Sequence, residues 1–261
     1  MSRPLIGTSW KMNLTPTEAA RWFAAATPGL ARLDDRDLFV LPPFPAIAAA
    51  RDALLGTRVA WGAQDIHPAD HGAHTGDVSA PMLADLGCRY VEVGHSERRR
   101  DHREGDRLLA AKVAAIRRWH MTPILCVGER TRRSVEAATH AVTRQLRGTL
   151  GSLDADALDA VVLAYEPVWA IGVGAAAAPL DHIEAMHAAI RRWLARRGAR
   201  STRVIYGGSV DVTNAGPIAR LDHVDGLFVG RAALDPHAFV RIAGVEVGER
   251  RDRWDRIASA S

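Results

Sequence analysis

Three residues in this chain have the chemistry to move a proton between neighbouring carbons: a carboxylate at Glu166, an imidazole at His95 and an ammonium at Lys11. A hydrogen next to a carbonyl is removed by a base, and the enediolate that forms needs a hydrogen-bond donor and a positive charge nearby. Glu166 suits the base, being followed by Pro167 at the end of an apolar run. His95 suits the donor, as a neutral imidazole if a helix N-terminus follows it. Lys11 supplies a point charge for a phosphate or for developing enolate charge. Of the 34 basic residues only Lys11 and Lys112 are lysine, so a lysine inside the Trp10–Asn13 motif stands out against the bias of the chain.

Positioning these groups requires elements that bring distant segments together. Short apolar runs recur at 5–9, 38–41, 59–64, 90–93, 123–127, 161–165, 204–206 and 226–229, each followed by a helical pattern. Helical periodicity is clearest over 17–26, 105–119, 135–150 and 181–197. Thr15-Pro16 and Ser79-Ala80-Pro81 each place a hydroxyl cap at a proline-led first turn. Strict alternation with near-continuous apolar strands implies a parallel sheet covered by helices, and eight units predict an α/β fold closed into a (β/α)8 barrel. The length of 261 residues fits the roughly 250 of such a barrel as a single domain over 1–245, with a charged tail over 246–261. In such barrels function gathers at the C-terminal strand ends. That is where Ser9, Lys11, His95, Glu97, Glu166, Gly172, Ser209, Gly230 and Arg231 fall.

Composition excludes several classes. Hydrophobic residues make up 48% and charged residues 25%, as in ordinary globular proteins, and no apolar run is long enough for a membrane span. The pI of 9.6 rests on a formal net charge of only +4, with arginines scattered over helix faces, so no nucleic-acid partner is expected. Cys88 and Cys126 lie far apart without metal spacing. With no signal-peptide pattern at the start, the expected location is the cytoplasm. The segment from Asp65 to Thr75 offers His67, His71, His74 and two aspartates as a tempting ligand set, yet no metal or other cofactor is expected.

The motifs Trp10-Lys11-Met12-Asn13, Gly94-His95-Ser96-Glu97-Arg98-Arg99, Cys126-Val127-Gly128-Glu129, Ala164 to Gly172 and Tyr206-Gly207-Gly208-Ser209-Val210 occur in one order along the chain. In these the sequence resembles the triosephosphate isomerase family over nearly its whole length. The resemblance implies a sugar-phosphate isomerase with Lys11, His95 and Glu166 as catalytic residues. Glu97 would set the charge around Lys11, and Gly172, Ser209 and Gly230 would bind phosphate through backbone N–H groups. It also implies a hinged lid over 167–178 and a homodimer formed through the loop 65–79. Two positions depart from the family pattern: Ser9 stands for Asn and Arg231 for a second Gly. Ser9 removes an amide donor and opens space, and Arg231 sets a guanidinium beside the phosphate site. These changes resemble the family branch that isomerises L-erythrulose 1-phosphate in bacterial erythritol catabolism. The alternative is the three-carbon reaction of glycolysis and gluconeogenesis. A catalytically inactive barrel serving as a binding module is a remote third, opposed by the intact Lys11, His95, Glu97 and Glu166.

Overall fold

The computed structural model describes residues 3–172 and 174–248. Most of the expected charged tail, from 249 on, and Val173 of the expected lid lie outside the described residues. Eight parallel strands close in sequence order: β1 (Leu5–Ser9), β2 (Asp37–Leu41), β3 (Val59–Ala63), β4 (Tyr90–Val93), β5 (Thr122–Val127), β6 (Val162–Tyr165), β7 (Arg203–Tyr206) and β8 (Gly226–Val229). Closure comes from β1 pairing with β8, Leu5 opposite Gly226 through Thr8 opposite Val229. Every strand is buried or nearly so along its length, because helices cover the outer face and side chains fill the inner one.

Two apolar layers result. Inside the barrel, Leu5, Phe39, Leu41, Tyr90, Ile124, Ile205 and Phe228 form a packed plug, with the Phe39 ring 5.1 Å from that of Tyr90 and 5.4 Å from that of Phe228. A side chain at Gly7 would run into the Phe39 ring, so glycine is needed there for the plug to close. Outside, the helices bury Trp22, Phe23, Ile116, Leu146, Ile190 and Phe239 against the sheet. This plug gives the barrel mouth a solid floor on which strand-end side chains are held.

Local signals act as the sequence predicts, with two corrections. Thr15 accepts from the Glu18 N–H while the Glu18 carboxylate accepts from the Thr15 N–H, a reciprocal cap on the helix Pro16–Leu30. That helix outruns its expected end at Ala26, passing through Pro28 to Leu30. A proline in the last turn forfeits one backbone bond, and the burial of Ala26 and Leu30 holds the turn regardless. Ser79 does precede the helix Ala80–Asp85, but its hydroxyl makes no capping bond and is buried without a partner among the described residues. No described helix is long and apolar enough to cross a membrane.

Candidate active site

The C-terminal ends of the strands surround a cavity of about 1050 Å³. Of the site residues expected from sequence, Ser9, Lys11, His95, Glu97, Glu166, Gly172, Ser209, Gly230 and Arg231 all line it. Residues up to 222 positions apart in sequence, Ser9 and Arg231, thus meet around one space.

Glu166 directly follows β6. Its carboxylate is buried at 5% exposure and its Oε2 has no hydrogen-bond partner among the described residues. Burial, and then the charge of Glu92, hold it well above the usual carboxylate range. Across the cavity, His95 Nε2 lies 3.5 Å from Glu166 Oε2. The helix Ser96–Asp101 starts immediately after His95, and His95 Nδ1 accepts from the Glu97 N–H at 3.2 Å. That bond places the imidazole proton on Nε2, the nitrogen facing Glu166. Burial, reinforced by the charge of Lys11, lowers His95 to about 4, so it is a neutral donor throughout the physiological range. The sequence tied a neutral imidazole to a following helix N-terminus; here burial is the main cause and the Lys11 charge adds to it.

Lys11 adopts a left-handed backbone, φ 55°, which is uncommon for a residue with a side chain. The strain is held by Gln64, whose Nε2 donates to the carbonyls of Lys11 and Leu41 at 3.0 Å each. From this turn the Lys11 ammonium reaches Glu97 Oε1 at 2.7 Å. Burial opposes ionisation of Glu97, but the Lys11 bond and neighbouring positive charge outweigh it, and its carboxyl titrates below the ordinary value. Lys11 and Glu97 thus form the pair that the resemblance implies.

One residue of the site escapes the sequence reading. Glu92 lies in β4 between Val91 and Val93, buried at 3% exposure, and lines the cavity. Its Oε2 accepts the Ser9 hydroxyl at 2.7 Å, and the Cys126 thiol points at its Oε1 at 3.5 Å. Burial pushes Glu92 up to about 7 against the pull of these bonds. The available signal was a carboxylate inside an apolar strand, a residue type almost never buried without a partner. Ser9 is accordingly more than an opened space: its proton is committed downward to Glu92.

The rim is made of backbone. Gly172 has φ 124°, and a side chain there would meet open space, so its glycine answers to conformation alone. Gly230 precedes the short turn Arg231–Leu234, and the exposed Arg231 points its segment at the cavity. Ser209 departs from expectation. Its N–H and hydroxyl both donate to the Ala170 carbonyl, at 3.0 and 2.9 Å, so that N–H is engaged and frees itself only when the 170 segment shifts. The segment itself is pinned at both ends. Trp169 donates to Glu129 at 2.7 Å beside the Tyr165 hydroxyl, and the Ala178 N–H donates to the Tyr206 hydroxyl at 3.1 Å. Between the pins Gly172, Gly174 and Ala176 are exposed.

In the loop 65–79, His67, His74 and Asp77 bring ligand atoms within 4.8 Å of one another, without His71. The two aspartates of the sequence reading are committed elsewhere: Asp65 to Lys112 at 2.7 Å and Asp70 to Arg118.

Comparison with known proteins agrees with this geometry. The sequence profile of the family described as "Triosephosphate isomerase" matches residues 4–246. The triosephosphate isomerase of Thermus thermophilus is 47% identical over 253 residues, covering 94% of this chain and all of that protein. That of Mycobacterium tuberculosis strain H37Rv is 46% identical over 261 residues, covering 95% and 98%. The crystal structure of triosephosphate isomerase from Bartonella henselae superposes with a TM-score of 0.79 at 33% identity, covering 92% of this chain and 97% of the other. Barrel, strand-end site and relatedness over whole lengths together place this chain in the triosephosphate isomerase family, as a sugar-phosphate isomerase.

Proposed function

We propose that the chain isomerises L-erythrulose 1-phosphate to D-erythrulose 4-phosphate by proton transfer through an enediolate. This substrate is dihydroxyacetone phosphate with one added CH2OH on the carbon that loses its proton. Glu166 takes that proton, and electrons move into the new carbon–carbon double bond and onto the carbonyl oxygen. His95 Nε2–H donates to the enediolate oxygens, and the Lys11 charge balances them. A proton then passes between the oxygens, and Glu166 returns its proton to the former carbonyl carbon, leaving the carbonyl one position along. Phosphate is held by the N–H groups of Gly172, Ser209 and Gly230, with the Arg231 guanidinium alongside. Closing of 167–178 excludes water and protects the enediolate from losing phosphate.

The observation that carries the four-carbon substrate is the bond from Ser9 to Glu92. With its proton donated downward, the Ser9 oxygen offers the cavity only lone pairs. It therefore accepts from a substrate hydroxyl, whereas an Asn there would offer an N–H donor. The added CH2OH supplies such a hydroxyl. The second reading, the three-carbon interconversion of dihydroxyacetone phosphate and D-glyceraldehyde 3-phosphate, is favoured by the names of the relatives. Purified protein assayed on both substrates side by side decides. A higher kcat/KM on L-erythrulose 1-phosphate is expected, and a higher value on glyceraldehyde 3-phosphate returns the chain to the three-carbon reaction. The working unit is a homodimer through 65–79, where residues 71–77 are exposed, as is Met12 at 97%. Size-exclusion with light scattering tests this, and a monomer mass would refute it.

A further inference from the structure

Two carboxylates share the floor of the site. Glu92, Cys126 and Glu166 each place a ligand atom within 4.8 Å of the others, and all three are buried. Every element around them brings something to bear. From β1 come Ser9, bonded to Glu92, and Lys11, whose ammonium bonds Glu97. From the end of β4 come His95, held neutral, and Glu97. From β5 comes the Cys126 thiol, which burial keeps protonated. From β7 comes Gly207, which has no side chain, and from β8 the apolar Phe228. Among the described residues no cation hydrogen-bonds either Glu92 or Glu166.

Like charges this close and this dry do not both ionise at neutral pH, and such a pair titrates as a unit. We propose that Glu92 is a positioning residue for the proton-transfer step: it shares one proton with Glu166 and so raises the basicity of the base. The reading rests on Glu166 being the base and is indifferent to whether the substrate has three carbons or four. The Cys126 thiol lies between the two carboxylates, but the Ser9 hydroxyl donates to Glu92 alone, whereas Glu166 Oε2 accepts nothing among the described residues. The resting proton therefore sits mostly on Glu166, and its departure is resisted by the charge on Glu92. Once deprotonated, Glu166 is a stronger base toward carbon than an isolated carboxylate. The upward displacement of both groups by burial agrees.

Glu92→Gln keeps one acceptor oxygen, which can take the Ser9 hydroxyl, turns its NH2 toward the Cys126 sulfur and removes the charge. With 13C-carboxyl-labelled glutamate, NMR titration of the unmodified protein is expected to show Glu92 and Glu166 each inflecting twice, at shared midpoints. In Glu92→Gln the Glu166 midpoint is expected to fall by about one pH unit or more. The acid limb of kcat/KM is expected to move the same way, and the plateau to fall about threefold to tenfold. Ionisation of the substrate phosphate is common to both enzymes and cancels in the comparison. Stability gives a separate readout. Glu92 is raised from 4.5 to about 7 in the folded state, so its contribution is present at low pH and lost as pH rises through that window. Glu92→Gln is therefore expected to gain Tm over the parent at pH 8 and not at pH 4.5. Independent single inflections at ordinary carboxylate values in the parent, or an unmoved limb in Glu92→Gln, overturn the proposal. Full turnover by Glu166→Gln would instead remove the base assignment, whatever the Glu92 variant does.

Discussion

The floor and the rim of the cavity are built on opposite plans. Ser9, Glu92, His95 and Glu166 form a floor of side chains exposed by 8%, 3%, 8% and 5%, each fixed on or just after a strand. The rim is mostly backbone: Gly172 and Gly174 stand exposed, Gly230 opens a turn, and Arg231 and Arg241 add long side chains. Groups whose protonation must be tuned sit where water is excluded, because burial sets their pKa values. Under the proposed function, the groups that admit and cover a phosphate sit at the exposed rim, since N–H donors need no tuning. The contrast predicts that changes in the floor strike turnover, while changes in the rim strike binding and choice of substrate.

Glu166→Gln should break the floor most severely, lowering kcat by about three orders of magnitude or more with Tm nearly unchanged. A kcat within tenfold of the parent would show that another group is the base. His95→Asn follows, with kcat down about 10²- to 10³-fold and KM within about threefold, because its N–H acts on charge that develops during reaction. An effect confined to KM would contradict the assignment. Gly207→Ala tests position without touching a functional group. The new Cβ would lie 2.7 Å from Glu166 Cγ, so the carboxylate must move, and kcat should fall about 10- to 100-fold. An unaffected kcat would show that the base tolerates displacement. The smallest effect is expected from one floor and one rim change together: Ser9→Asn with Arg231→Gly should shift the kcat/KM ratio toward glyceraldehyde 3-phosphate by about one to three kcal/mol. An unchanged ratio would show that neither residue reads the substrate.

The floor was more legible in the sequence than the rim. Apolar runs placed β1, β4 and β8 at their observed limits, since a buried parallel strand must be apolar throughout. Lys11, His95, Glu97 and Glu166 were visible because polar residues at the ends of apolar strands have few other reasons to be there. Glu92 was hidden by that same logic, taken up in a run read as apolar, and only the fold reveals that its partner is Ser9, 83 positions away. At the rim, sequence named Ser209 but not the Ala170 carbonyl that occupies its N–H, because that bond depends on how two loops pack. The end of the helix at Leu30 was missed because Pro28 is a local stop signal that packing overrides.

Turnover of the unmodified protein in D2O, followed by NMR of the product, tests proton transfer through an enediolate most directly. A proton held on Glu166 between the two carbon steps exchanges with solvent, so product molecules carrying one deuterium at the reprotonated carbon are predicted. Product free of deuterium at that carbon through many turnovers would contradict a proton that rests exchangeably on Glu166, and the account of that step would fall.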